Sequence, residues 1–253
     1  AKNINKLIAL DLKNSYYARM SNLNVSILEP SQKLKGIVRR ILITESNGIV
    51  QEQLPIGPTG FAYLTYSRYP LELRFSDKVM ASDEQLYLAG QLGGEMPYFK
   101  IKGKFFHVGL EILPTVPYYF FGLEGLVDVG AVLSDVIPEL AKNFRKQYKN
   151  ENDPKKVADG LQQILLDRID KVTNIEFLDE ALATIYQQKG HVEVAELVKV
   201  SGLSDRHFRR EFKRVIGIGP KQYCKVIQFN AAFEAIQMGN EKQLYEVALQ
   251  NGY

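Results

Sequence analysis

The stretch Val194–Tyr223, VAELVKVSGLSDRHFRREFKRVIGIGPKQY, decides how the chain is read. Val194, Leu197, Val198 and Ser201 recur at helical spacing, so one side of a short helix can bury. Gly202 supplies the backbone freedom of a tight turn, and Ser204 is a good N-cap for a second helix. In that second expected helix Phe208, Phe212, Val215 and Ile216 fall on one stripe and face inward, which leaves Arg206, Arg209, Arg210 and Lys213 outside.

Two helices joined by a glycine turn are common in all-helical domains, and a charged outer face is often only a solvated one. The charge here points further. From Ser204 to Lys225 there are seven basic residues (206, 209, 210, 213, 214, 221, 225) against two acidic ones (205, 211), an excess that favours phosphate contact. A helix of this size fits the major groove of B-DNA, where arginine grips guanine through two hydrogen bonds. The pattern reads as a DNA-binding helix-turn-helix.

The string GLSDRHFRREFKRVIGIGPKQY resembles the AraC family of bacterial transcription regulators, in which G-L-S-x-x-x-L-x-R-x-F-K-x-x-x-G-x-x-P-x-x-Y spans the first of two helix-turn-helix units. Gly202, Leu203, Ser204, Arg210, Phe212, Lys213, Gly217, Pro220 and Tyr223 fall in place. Phe208 stands where the family usually has leucine and Val198 where it has alanine; both stay apolar and enlarge the helix contact. The resemblance implies that Arg206, Arg209 and Arg210 face the bases, with Asp205 and Glu211 orienting them, and that Ser204, Lys213, Lys221 and Gln222 serve as cap or phosphate contacts. It implies double-stranded DNA as partner and a sequence-specific regulator that positions RNA polymerase, more often as activator than repressor; a cytoplasmic location is the default expectation, which the lone Cys224 suits.

Pro220 suits a first helical turn, and a helix is expected from there to about Met238, the linker helix of the family, ended by Gly239 and Asn240. Leu244–Tyr253, LYEVALQNGY, looks like the start of the second helix-turn-helix, with Ala248, Gly252 and Tyr253 in place. The second unit is incomplete in this sequence, through a missing C-terminal piece or as a natural half-reader. Weak DNA binding is expected of the sequence as it stands, and stronger binding on extension.

The N-terminal half has a different texture. Segments IVRRILITES, GFAYLTYSRY, LELRF, EQLYLAGQL, MPYFKIKG and FFHVGLEIL alternate with PIGPTG, LGGEMP and LPTVP, the rhythm of short strands between Gly and Pro turns. They predict a sheet that closes on itself or packs in two layers, a β-barrel or jelly roll. The fold class is therefore α+β: an N-terminal barrel domain over 1–126, helices over 127–172, and an all-α helix-turn-helix domain over 173–253. Lys102–Gly122 resembles a recurrent piece of the cupin-like sensor domains of AraC regulators, which implies an effector-responsive barrel and a small-molecule effector; the pocket itself is not legible. The aromatic run Tyr118, Tyr119, Phe120 and Phe121 reads first as core.

Between the halves, Val127–Tyr148 and Val157–Val172 carry amphipathic helical patterns, joined by the charged, proline-marked stretch 142–156 that reads as an exposed connection. In the family such helices pack on the barrel and often join two copies. Homodimer and intramolecular packing stay equally open.

Net charge is only +3, so basic character is local, which argues against a general nucleic-acid coat. Cys224 stands alone and cannot form an internal disulfide. No apolar run approaches the ~20 residues that span a bilayer, so no membrane partner is expected. No catalytic residues, cofactor or metal site are expected: G-x-S-x-G, P-loop and G-x-G-x-x-G patterns are absent, and His107 is the only histidine of the barrel half, read as a strand residue with a satisfied hydrogen bond. The remaining alternative is a non-enzymatic ligand-binding or protein-docking module whose helix-turn-helix serves contact without reading DNA.

Overall fold

Alternation along the strands organises the first half. In FHVGLEI, Phe106, Val108, Leu110 and Ile112 join the main core, while His107, Gly109 and Glu111 take the opposite face of the same strand. A computed structural model describes residues 23–74, 79–82, 86–93, 97–128, 130–170 and 176–238. Its strands are β1 (Leu23–Leu28), β2 (Val38–Ser46), β3 (Val50–Pro55), β4 (Ala62–Ser67), β5 (Leu71–Arg74), β6 (Val79–Ser82), β7 (Leu86–Ala89), β8 (Tyr98–Gly103), β9 (Phe106–Ile112) and β10 (Gly130–Val132). The helices are α1 (Val116–Phe121), α2 (Leu133–Val136), α3 (Pro138–Tyr148), α4 (Pro154–Ile169), α5 (Glu176–Gln187), α6 (Val194–Ser201), α7 (Asp205–Ile216) and α8 (Pro220–Met238).

The strands form a six-stranded sheet, in the order β1-β2-β9-β4-β7-β10, and a four-stranded one, β3-β8-β5-β6. All strand pairs within them are antiparallel. Of the two expected arrangements, the sheet does not close on itself into a barrel; the strands divide into two sheets packed against each other. Among the described residues the sheets share no strand pairing; they meet through side chains, Leu23 and Tyr87 of the larger sheet clustering with Val50, Leu54, Leu71, Phe99 and Ile101 of the smaller.

The outer face of the large sheet carries the main core. Ile41, Ile43, Leu64, Tyr66, Leu88 and Leu110 pack there against Phe144 of α3 and Val157, Leu161 and Leu165 of α4. This corrects two readings of the middle of the chain. Gly130–Val132, expected as helix, is the edge strand β10 paired with β7, because the free edge of β7 offers hydrogen bonds to a Gly-Ala-Val segment with little helical preference. Pro138 then splits the remaining helical pattern into α2 and α3. The stretch 142–156, expected as an exposed connection, is helical as far as Tyr148 and buries Phe144. Helix α4 starts earlier than its apolar pattern, at Pro154, since Asp153 caps it by accepting from Lys155 N at 2.9 Å.

A second core holds the helical half: Leu178, Leu182 and Ile185 of α5, Leu197 of α6, Phe208, Phe212 and Val215 of α7, and Tyr223 and Ile227 of α8. Tyr118 and Val127, from the β half, pack on its margin, so the two cores touch. Gly239, Asn240 and Leu244–Tyr253 lie outside the described residues.

Candidate nucleic-acid interface

Helix α6 ends at Gly202, which takes φ +66° and turns the chain left-handed as only glycine does cheaply. Ser204 then opens α7, its hydroxyl accepting from His207 N at 3.4 Å. Helix α7 is strongly two-faced. Phe208, Phe212, Val215 and Ile216 are buried, and Phe208 packs its ring against Phe177 and Phe212. Phe208 thus fills the space beneath α7 by aromatic packing with α5.

The opposite face carries the expected cations. Arg206, Arg209, Arg210 and Lys213 are exposed. Arg209 Nε donates to both carboxylate oxygens of Asp205, at 2.9 and 2.8 Å, across one helical turn. Arg210 Nε donates to Glu211 Oε1 at 3.1 Å. These carboxylates hold the guanidinium groups in place without burying them; side-chain exposure is 47% for Arg209 and 66% for Arg210. The Arg209–Asp205 pair, exposed on both sides, is weakly bound and yields easily to a stronger partner such as a phosphate or a guanine edge. His207 is exposed as well.

The cap and phosphate candidates divide. Lys213 on α7 and Lys221 in the first turn of α8 are exposed, and Ser204 acts as cap. Gln222 is exposed too, but its amide donates to the Gly93 carbonyl of the β half at 2.7 Å. Arg214, on the same row as Arg206 and Arg210, is turned the same way: Nη1 donates to Tyr118 Oη at 2.9 Å and to Glu124, and its guanidinium lies 4.7 Å from the Tyr118 ring centre.

Sequence reasoning missed this seam. Tyr223, a fixed position of the motif, is fully buried and donates its hydroxyl to the Gly60 carbonyl at 2.6 Å. With that proton committed, Tyr186 Oη donates to Tyr223 Oη at 2.6 Å. Phe61 stacks on Tyr186, ring planes 3° apart, and Asn230 reaches the Pro58 carbonyl at 2.7 Å. Gly60 sits at φ +76° and leaves no room for a Cβ beside Ile227, so its carbonyl can come right up to α8. The only sequence hint was PIGPTG itself, a turn richer in Pro and Gly than a hairpin needs.

Behind that loop lies a buried polar cluster. Glu111 on β9 is 0% exposed and faces Arg40 Nε at 2.5 Å and Arg39 Nη1 at 3.5 Å. Tyr63 Oη donates to Glu111 Oε1 at 2.8 Å, and Thr59 Oγ1 lies 2.9 Å from the Tyr63 hydroxyl. Burial alone would raise the Glu111 carboxyl, but the charges of Arg40 and Arg39 and the hydrogen bonds from Tyr63 and Arg40 outweigh it and hold it below the usual range. His107, on the same face of β9, has Nδ1 2.8 Å from Ser67 Oγ and rings of Phe105, Phe99 and Tyr87 around it; burial lowers its pKa to about 4, so it is neutral near pH 7. Glu111 was hidden in an apolar run, FFHVGLEIL, where one acid reads as noise. No group of three or more His, Cys, Asp or Glu that could hold a metal occurs among the described residues, and none of their helices is long and apolar enough to cross a membrane.

Neither a protein-family profile nor a curated protein matches this sequence. Among solved structures, the chain is similar to the AraC-like transcriptional activator CuxR, with TM-score 0.30 and 12% identity over 87% of this chain and 90% of that one. It is also similar to ToxT from Vibrio cholerae, with TM-score 0.23 and 13% identity over 81% of this chain and 97% of that one. A Clostridium difficile EutQ protein matches with TM-score 0.30 and 8% identity, over 42% of this chain and 81% of the other. At such scores and identities the likeness decides nothing by itself.

Proposed function

We propose that the chain is a sequence-specific DNA-binding transcription regulator of the AraC type, which reads the major groove with α7 and responds to an effector bound by its β half. The observation that carries this reading is the division of α7: four apolar side chains locked under it and Arg206, Arg209, Arg210 and Lys213 left in water above it. An arginine row of this kind on a helix that follows a capped turn suits bidentate guanine contacts. The motif GLS…R-x-FK…G-x-x-P-x-x-Y supports the family assignment.

In this mechanism an effector changes the β half, the contact between the halves changes with it, and the helix-turn-helix engages DNA differently. The protein acts in the cytoplasm, through RNA polymerase, and performs no catalysis. Pairing of two chains would raise apparent affinity for adjacent sites.

The test is selection of bound fragments from a random duplex pool, followed by anisotropy on the selected sequence with the Arg206→Ala/Arg209→Ala/Arg210→Ala variant. Each good bidentate contact is worth ~1–3 kcal/mol of discrimination, so the variant should lose at least about tenfold of its preference for the selected site over a scrambled one. Unchanged preference would reassign the helix-turn-helix to protein contact.

A further inference from the structure

We propose that the contact between the halves is a latch that withholds part of the phosphate-binding surface, and that its central elements are the Tyr186–Tyr223–Gly60 hydrogen-bond chain and the Arg214–Glu124 pair. The proposal rests on the DNA-reading assignment and adds to it a resting state with named contacts.

Three features of the seam argue for restraint. It occupies donors that belong to the DNA-facing side: Arg214, on the row of Arg206 and Arg210, is held by Tyr118 and Glu124, and the Gln222 amide is held by Gly93. It also sets a carboxylate at the end of the reading helix. Glu124 is 56% exposed beside Arg214, where the phosphates flanking an occupied groove would come, and like charges there oppose approach. Finally, the seam is specific in shape. Tyr223 Oη on the Gly60 carbonyl, Asn230 on the Pro58 carbonyl and Gln91 on the Gly60 and Phe61 carbonyls fix one loop from both sides.

The latch is also wired into the β half. Phe61 stacks on Tyr186 outside, and its amide donates to Thr59 Oγ1 at 3.2 Å inside. Thr59 meets Tyr63, Tyr63 donates to Glu111, and Arg39 spans the gap by pairing with Glu111 and lying 4.8 Å from the Phe61 ring centre. A ligand that repositions the Glu111 cluster therefore moves the loop that Tyr223 grips.

The experiment uses the full chain, wild type and two variants, Tyr223→Phe and Glu124→Gln. The first removes the hydroxyl and keeps the ring; the second changes an exposed side chain and cannot fail through core damage. Hydrogen exchange of residues 58–61 and 220–230 reports the latch, and anisotropy on a random-sequence duplex across a salt series reports phosphate contact. Release should speed exchange in both segments, tighten duplex binding about tenfold, and steepen the dependence of log K on log salt by roughly 0.9 for the phosphate that a freed Arg214 neutralises, the neutral Gln222 amide adding affinity but no slope. Faster exchange with unchanged affinity and slope would show a merely structural seam and overturn the proposal. So would unchanged exchange and binding in both variants. Failure of every protein to bind duplex, with exchange altered, would remove the DNA-reading assignment and the latch with it.

Discussion

The molecule uses the same guanidinium–carboxylate chemistry in two regions to opposite ends. In the β half Arg39 and Arg40 close on a Glu111 that is 0% exposed, with side-chain exposures of only 9% and 14%. On α7 the Arg209–Asp205 pair stands in open water, and Arg210 reaches out from a half-buried Glu211 while staying 66% exposed itself. Buried ions have given up their hydration and depend on each other, so removing either partner strands the other. Exposed ions keep their hydration and remain available. Location, far more than residue type, separates the structural arginines from those that can bind a partner.

The largest break in this comparison comes from Glu111→Ala. It leaves two guanidinium groups facing a polar cavity without their counter-ion, and the loss of one partner of a buried pair costs about 3–5 kcal/mol. Urea unfolding should show that loss in the midpoint, with Glu111→Gln losing less because the amide oxygen still accepts from Tyr63. A Glu111→Ala protein as stable as wild type would mean that water already solvates the cluster.

Acid titration sharpens the same contrast with a smaller effect. His107 has an ordinary value of 6.5 and a folded value of about 4, so between those limits the unfolded chain binds the proton and the folded one does not. Its contribution is fully present above pH 6.5 and is lost as pH falls towards 4, on the order of 2 kcal/mol once its partial exposure is allowed for. Glu111, depressed in the fold, loses stability in the same direction at still lower pH. Stability measured by denaturant between pH 7 and 4 should fall in wild type and flatten in His107→Gln. Parallel slopes for the two proteins would refute the neutral, buried imidazole.

Legibility in the sequence tracks the range of the interactions. Helices α6, α7 and α8 were legible because their signals are local: a 3.6-residue apolar period, Gly202 at a turn, Ser204 at a cap, Pro220 at a first turn. The exposed face of α7 came from the same period. Strand pairing is non-local, so the short strands were visible while the choice between a closed barrel and two layers, and the strand order within each layer, were not. Gly130–Val132 shows the mechanism, a segment with helical spacing taken by a vacant sheet edge that the sequence does not display. The seam was illegible for the same reason. Tyr223 and Gly60 stand 163 positions apart, and nothing local in PIGPTG says which helix its carbonyls will meet.

The smallest expected effect tests the exposed side of the comparison. Asp205 lies in the first turn of α7, and the hydrogen bond from Arg209 holds its carboxyl below the usual range although the group is open to solvent. Asp205→Asn removes the charge and keeps the shape. Because water competes for both partners, the unfolding midpoint should hardly move, in contrast to Glu111→Ala. Arg209, no longer drawn back along the helix, is free to turn outward, so duplex binding should strengthen by a few-fold, and most at low salt where phosphate attraction is least screened. Anisotropy at low and moderate salt measures this directly. Weaker binding would mean that Asp205 aims Arg209 at the groove, and the carboxylates of α7 would then be positioning residues for the reading helix, as structural in their way as Glu111.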